Sequence, residues 1–414
     1  MLAVLTKTSS MRISIRVAVA LVCLGAGSTF APLAAFEVPK ERNAATYLGA
    51  PMQGNNYHVA AKVRSDGNMF IFVVDTKYGK YQVDGIELTR VFIRELNALD
   101  VLEKISQSET FANSLGRSVT APIRYGANLI ADPVTTVKNS LSGVANMFDR
   151  ASASLSDPKF DRATTTDSLL GIDDARRELA VSLGVDPYTN FPPLAQKLTD
   201  VASAAAAGGL TVKAALAVIP GGAAVMAVSG VSTIEGAAET LRDKTSAQIA
   251  QEVKATLLRL SVPPNMISRF VTNTAYTPTD LLLTSRALAR LNASNTQVFI
   301  NRAAATNSRS VGFFERRRAE LLAERGQELG GIADFINAGG FALNRTHAGN
   351  IVALFPCDDI AWTAITEKAA TAITNDLRHN GTAGRKLILA TNGGVTPIAT
   401  REFQKLGWQV VQLR

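Results

Sequence analysis

The chain is poor in the residues that carry most metal and redox chemistry. Its 414 residues include two cysteines, one of them within the first 35 residues, and three histidines, which leaves little room for a His/Cys zinc site or a thiol pair. Aromatic residues make up 6%, so any core must lean on Leu, Val, Ile and Ala. Charge is also sparse, 19% against 47% hydrophobic, which excludes a disordered or collagen-like chain. No G-x-S-x-G, H-E-x-x-H or Walker pattern occurs. The length suits two or three folding units.

What is present begins with a leader-like segment over residues 1–35. Lys7, Arg12 and Arg16 make a basic start, residues 17–27 an apolar run, and Leu33-Ala34-Ala35 a small-residue exit before Phe36. The run is too short to span a bilayer, and Met11 would start an equally complete signal. Val22 directly before Cys23 fits lipid attachment poorly. Cleavage after Ala35 would remove three cations and no acid, lowering the formal charge from +8 to +5. That balance is mild, and a nucleic-acid partner is not expected, because the one dense basic cluster, Arg316-Arg317-Arg318, reads as a solvated helix face between Glu315 and Glu320. Cys357 would then be the sole cysteine, so stability must come from packing.

The expected fold class is α+β and mostly helical. Residues 36–56, rich in Pro, Gly and Asn, read as a linker. Residues 57–110 read as a β-meander closed by one helix, with strands at 58–64, 69–75 and 81–83 and helical spacing from Ile86 to Ile105. Residues 157–338 read as a helical domain whose segments open at Ser246, Pro264, Pro278, Thr296 and Ser308, with Thr277 and Pro278 as cap and first turn. Residues 339–414 read as an α/β unit. It has a hairpin around His347-Ala348-Gly349, a helix at 360–379, a strand at 386–390, a helix at 397–406 and a last strand at 408–413, an order that implies a parallel crossover.

Two tracts are nearly free of charge. Residues 111–156 repeat at a spacing of eleven (Pro122 and Pro133, Ile123 and Val134, Asn128 and Asn139, Ile130 and Leu141), which keeps one apolar stripe in line on a helix. Val119, Ile123, Ile130, Val134, Leu141 and Phe148 populate that stripe opposite a Ser/Thr/Asn face. The stripe suits either a bilayer headgroup boundary or the protein's own core, and each proline must begin a new segment. In residues 201–234 the sole charge is Lys213, and Pro220-Gly221-Gly222 splits the tract into halves too short to cross a membrane alone. Ile219, Val225 and Val228 would line either a buried Ala/Gly hairpin or a membrane-inserting one.

One loop carries a mechanism. Thr391-Asn392-Gly393-Gly394-Val395-Thr396-Pro397 follows an apolar strand and opens a helix. Thr396 is placed as N-cap, and the amides of Gly393 and Gly394 are expected to point outward at an anion. The loop lacks the Lys-Ser/Thr of a P-loop. Cys357 and His379 are separated by a long helix and are not expected to pair, while Asp358 or Asp359 reads as that helix's N-cap. No metal and no cofactor is expected. Together these features point to an exported, non-catalytic cell-envelope protein, periplasmic or extracellular, whose partner is a membrane surface or an envelope protein. The rival readings are an enzyme or small-anion binder with its site at the Gly393-Gly394 loop, and a structural module that binds another protein.

Overall fold

The structure, a computed structural model, describes residues 36–108, 111, 170–206, 212, 235–382 and 384–413. The described residues belong to one compact unit, and the fold is mixed α+β as its patterning implies.

The chain enters through β1 (Arg42–Asn43), α1 (Ala44–Leu48) and β2 (Gln53–Gly54), then β3 (Tyr57–Val59), β4 (Lys62–Ser65), β5 (Phe70–Thr76) and β6 (Gly79–Asp84). The segment 36–56, expected as a linker, is therefore structured. Its Asn and Gly serve as cap and turn residues: the Asn43 side chain accepts from the Ala45 amide, and Gly49 closes α1 with φ +57°. Ala44 and Leu48 are buried. The single strand expected at 58–64 is two strands on one edge of β5. Val59 opposes Val74 while Arg64 opposes Ile71, so six residues run against four and the edge bulges at Ala60-Ala61. The bulge frees the Ala61 carbonyl to receive the Ala44 amide at 2.9 Å. β6 pairs the other edge of β5, and all pairings in this sheet are antiparallel.

α2 (Ile86–Ser106) packs on this sheet through Phe92, Leu96, Leu99 and Leu102. α3 (Leu170–Ser182) and α4 (Pro192–Ala206) complete a first core with Leu179, Leu183, Leu194 and Leu198. A second core is built from α5 (Ala238–Asp243), α6 (Ser246–Arg259), α7 (Pro264–Val271), α8 (Pro278–Leu291), α9 (Thr296–Ala304) and α10 (Arg309–Arg325). Local signals set their starts. Thr245 and Thr277 each form a reciprocal capping box with the residue three further on, and Pro264 and Pro278 occupy first-turn positions.

The second core continues into a five-stranded sheet ordered β13-β11-β9-β8-β7, from β7 (Ile332–Ala338), β8 (Phe341–Thr346), β9 (Ile351–Leu354), β11 (Leu387–Thr391) and β13 (Trp408–Gln412). β7 lies within residues 157–338, which were expected as a helical domain. Asp334 and Asn337 interrupt its apolar pattern, and Asp334 is neutralised by Arg345 on the paired strand. β9, β11 and β13 are parallel, joined through α11 (Ala364–His379) and α12 (Pro397–Lys405). Alternation along the strands separates the faces: Val352, Leu354 and Ala390 join the helical core, whereas Ala353 and Leu389 face α11 and α12. A two-residue ladder, β10 (Asp359–Ile360) with β12 (Gly394–Val395), lies at the carboxyl end of this sheet. Among the described residues no helix is long and apolar enough to cross a membrane.

The Arg316-Arg317-Arg318 cluster is not a solvated face. Arg316 and Arg318 are buried at 2% and 0% exposure. Arg318 donates to the carbonyls of Leu354, at 2.9 Å, and Ala342, and pairs with Glu315. Arg317 bridges Glu87 and Glu320. Arg317 and Arg318 find protein acceptors instead of water, whereas Arg316 lies against the Phe313 ring with its Nε 3.5 Å from Asp280.

Candidate functional site

The Gly393-Gly394 loop has the expected helix start. Thr396 caps α12 by accepting from the Ala399 amide at 3.1 Å, with Pro397 in the first turn. The amides expected to point outward are engaged within the protein. Gly393 donates to Thr391 Oγ1 at 3.2 Å, Gly394 to the Asp358 carbonyl at 2.8 Å, and Thr396 to the Ile360 carbonyl at 2.9 Å. The glycines answer a steric demand. A Cβ on Gly393 would lie 2.0 Å from the Cys357 carbonyl oxygen and 2.3 Å from that of Asp358, so the requirement is close passage of two backbones. Thr391 is fully buried beneath them. Asn392 stands beside these residues in the loop, with no bond to them on which an anion site could rest.

Neighbouring segments cover the same sheet end. The turn at residues 65–69 lends its carbonyls to it: Asn68 receives the amides of Asp358 and Asp359, and Gly67 receives that of Ala361. Asp358, expected as a helix cap for α11, instead accepts from the Phe70 amide at 2.9 Å and from the Ile86 amide at 3.2 Å. It thereby caps α2, whose own N-cap residue is Gly85 and has no side chain to offer. Burial pushes the Asp358 carboxyl up to about 7 even though these amides favour its ionised form. The true cap of α11 is Thr363. Glu37 completes the cover, its Oε2 accepting from the Trp362 amide at 2.6 Å and the Thr396 hydroxyl at 2.7 Å. The protein's own carboxylate thus lies at the start of α12.

Behind the loop is a cavity of about 30 Å³ lined by Phe355, Cys357, Ile373, Leu389, Phe403 and Trp408. Asn68 also reaches it, and its Nδ2 has no hydrogen-bond partner. The space holds one or two waters, not a substrate. Cys357 is 2% exposed, and burial pushes its thiol well above the usual range, which removes it as a nucleophile.

A second cluster of buried ionisable groups lies where α2 meets α8, α10 and the turn between α3 and α4. Asp280 Oδ2 is 2.7 Å from Arg309 Nη1, and its Oδ1 is 3.5 Å from Arg316 Nε. Arg316 stacks over Phe313 at 4.3 Å and its Nη2 makes no hydrogen bond. Asp186 accepts from the Thr279 hydroxyl and the Tyr188 amide. Glu95, on the buried side of α2, accepts from the Thr189 hydroxyl. Burial raises the Glu95 carboxyl to about 7, and nearby Asp186 adds to the rise against the Thr189 hydrogen bond. Burial raises Asp186 as well. The sequence carried a signal for this cluster: Glu95 falls on the stripe of Phe92, Leu96 and Leu99, where a carboxylate must be buried. Asp280 was visible only as the third residue of a capping box. Among the described residues no group of three His, Cys, Asp or Glu side chains could hold a metal ion.

The residues expected to meet a membrane, Val119, Ile123, Ile130, Val134, Leu141, Phe148, Ile219, Val225 and Val228, lie outside the described residues. The described residues at the edges of both tracts are buried together. Phe111 and Val212 join the first core, beside Ile105 of α2 and Val201 of α4. No protein family, curated protein or solved structure matches the chain.

Proposed function

We propose that this is an exported, non-catalytic cell-envelope protein that attaches peripherally to lipid, or to a membrane-held partner, through residues 111–156 and 201–234. The supporting observation is the shared root of the two tracts. Phe111 and Val212 are buried in one core, and α3, which follows the first tract, packs against both α4, whose last residues open the second tract, and α5, which follows it. Two low-charge tracts rooted on one helical layer can meet one surface together. The sequence supports the same reading, since such tracts are chemically out of place in an exported chain unless something apolar receives them. Each Val, Ile or Leu taken fully out of water contributes about 1.5–3 kcal/mol, so a few side chains suffice for reversible attachment. The anion-binding alternative loses its donors, because the loop amides are engaged and Glu37 covers the helix start.

The test is co-sedimentation of the compact unit, residues 36–414, with vesicles of phosphatidylglycerol and phosphatidylethanolamine. The expected result is pelleting that persists in high salt and is lost when Ile123, Val134 and Leu141 are together changed to Asp. Complete recovery of the unsubstituted protein in the supernatant overturns the reading.

A further inference from the structure

An asparagine followed by glycine readily loses its side-chain amide, because the glycine nitrogen reaches the asparagine Cγ with no Cβ in the way. Two such pairs occur, Asn380-Gly381 and Asn392-Gly393, and both asparagines are exposed. The structure holds the two pairs differently. Gly393 donates to Thr391 Oγ1 at 3.2 Å, and its α-carbon is wedged against the Cys357 and Asp358 carbonyls. Its nitrogen is committed, and the peptide cannot turn toward Asn392 without displacing two backbones.

Asn380-Gly381 closes α11. Asn380 is the C-cap, and Gly381 follows at φ +74°, in the left-handed region that glycine enters freely. The Gly381 amide makes no hydrogen bond among the described residues. Nothing lies within 4 Å of where a Cβ would stand on Gly381 or on Gly384. The turn is held by Thr382, whose amide and hydroxyl both donate to the Leu377 carbonyl, at 3.3 Å and 2.6 Å. An exposed helix end of this kind opens at little cost.

We propose that Asn380 is a site of intramolecular deamidation whose product loosens α11 from the turn between β7 and β8. When the helix end opens, the Gly381 nitrogen attacks Asn380 Cγ. The new C–N bond closes a cyclic imide, and the side-chain nitrogen leaves as ammonia, carrying the proton that Gly381 gives up. Water, the one co-reactant, then opens the ring at either carbonyl and leaves aspartate or isoaspartate at position 380. The new carboxylate stands one turn beyond Asp376. In the unmodified protein Asn380 Nδ2 donates to Asp376 Oδ1 at 2.9 Å, while Asp376 Oδ2 receives the Gly339 amide at 2.8 Å. An acidic residue at 380 replaces that donor with a like charge at the negative end of the helix dipole, so the hold of Asp376 on Gly339 weakens.

The experiment is incubation of the whole protein at mildly alkaline pH, folded and in urea, with peptide mass mapping of both asparagines. Folded, Asn380 should lose its amide within about tenfold of its own unfolded rate, whereas Asn392 should be slowed about 100-fold or more, because the sheet end opens rarely. Thr382→Val, which removes the hydroxyl bond to Leu377 and keeps the size, should speed the loss at Asn380 and leave Asn392 unchanged. Asn380→Asp, which supplies the product's charge directly, should raise hydrogen exchange at the Gly339 amide. Folding that protects Asn380 as strongly as Asn392 overturns the proposal, as does an unchanged rate in Thr382→Val. Unchanged exchange at Gly339 in Asn380→Asp overturns the loosening.

Discussion

Replacing Arg318 with methionine tests whether the two faces of the molecule are held by a buried ion. The side chain is fully buried, with Nε 2.9 Å from the Leu354 carbonyl, Nη2 on the Ala342 carbonyl and Nη1 3.4 Å from Glu315 Oε2. Methionine fills most of the volume and supplies no donor. Two strand carbonyls lose this donor, and Glu315, 2% exposed, loses the guanidinium paired with it. At about 1–2 kcal/mol for each carbonyl and a similar amount for the stranded carboxylate, the loss should be near 5 kcal/mol. That is a large share of a typical 5–15 kcal/mol stability. Urea unfolding followed by tryptophan fluorescence reads it directly, because Trp362 and Trp408 are each 3% exposed. Adding Glu315→Gln removes the stranded charge and should recover about 2 kcal/mol, a coupling that only contacting residues show. A loss under about 1 kcal/mol for Arg318→Met, or strict additivity with Glu315→Gln, would show that the buried pair does not couple helix to sheet.

Two further substitutions examine the covered sheet end. Asp358→Ala removes the acceptor of the Phe70 and Ile86 amides and should cost about 2 kcal/mol, with exchange at residues 86–90 rising ahead of the rest of α2; uniform protection along α2 would speak against capping from a distance. Gly393→Ala should be far more damaging than Gly394→Ala. The first places a Cβ against two fixed carbonyls, and the second against the movable Asp359 side chain at 2.5 Å. Thermal melting of both variants decides this, and similar losses would mean that backbone approach does not set the requirement.

Much of the fold was legible because its signals are local. Thr277-Pro278, Pro264 and Thr396-Pro397 state their helix starts in two or three residues, and the short apolar runs at 341–343 and 351–354 on either side of His347-Ala348-Gly349 state a hairpin. What escaped depends on partners remote in sequence. The Gly393-Gly394 pattern is the same whether glycine admits an anion or a neighbouring backbone, and only the position of Cys357 and Asp358 distinguishes the two. Asp358 looked like a cap for the helix that follows it because its true client, α2, begins 272 residues earlier. The basic triplet misled for the same reason: a helix read alone has a solvent side, and α10, lying between two cores, has very little of one.

The tie from Glu37 to Trp362 and Thr396, together with the one from Phe70 to Asp358 across 288 residues, has a consequence for biogenesis. A polypeptide emerging amino end first can pair β1 to β6 early, but Phe70 and Glu37 find these partners only once residues 358–396 are available. Long-range closure of this kind is slow and carries a large entropic cost before any reward. The contacts between the two ends of the chain therefore form late, after the elements between them have been made.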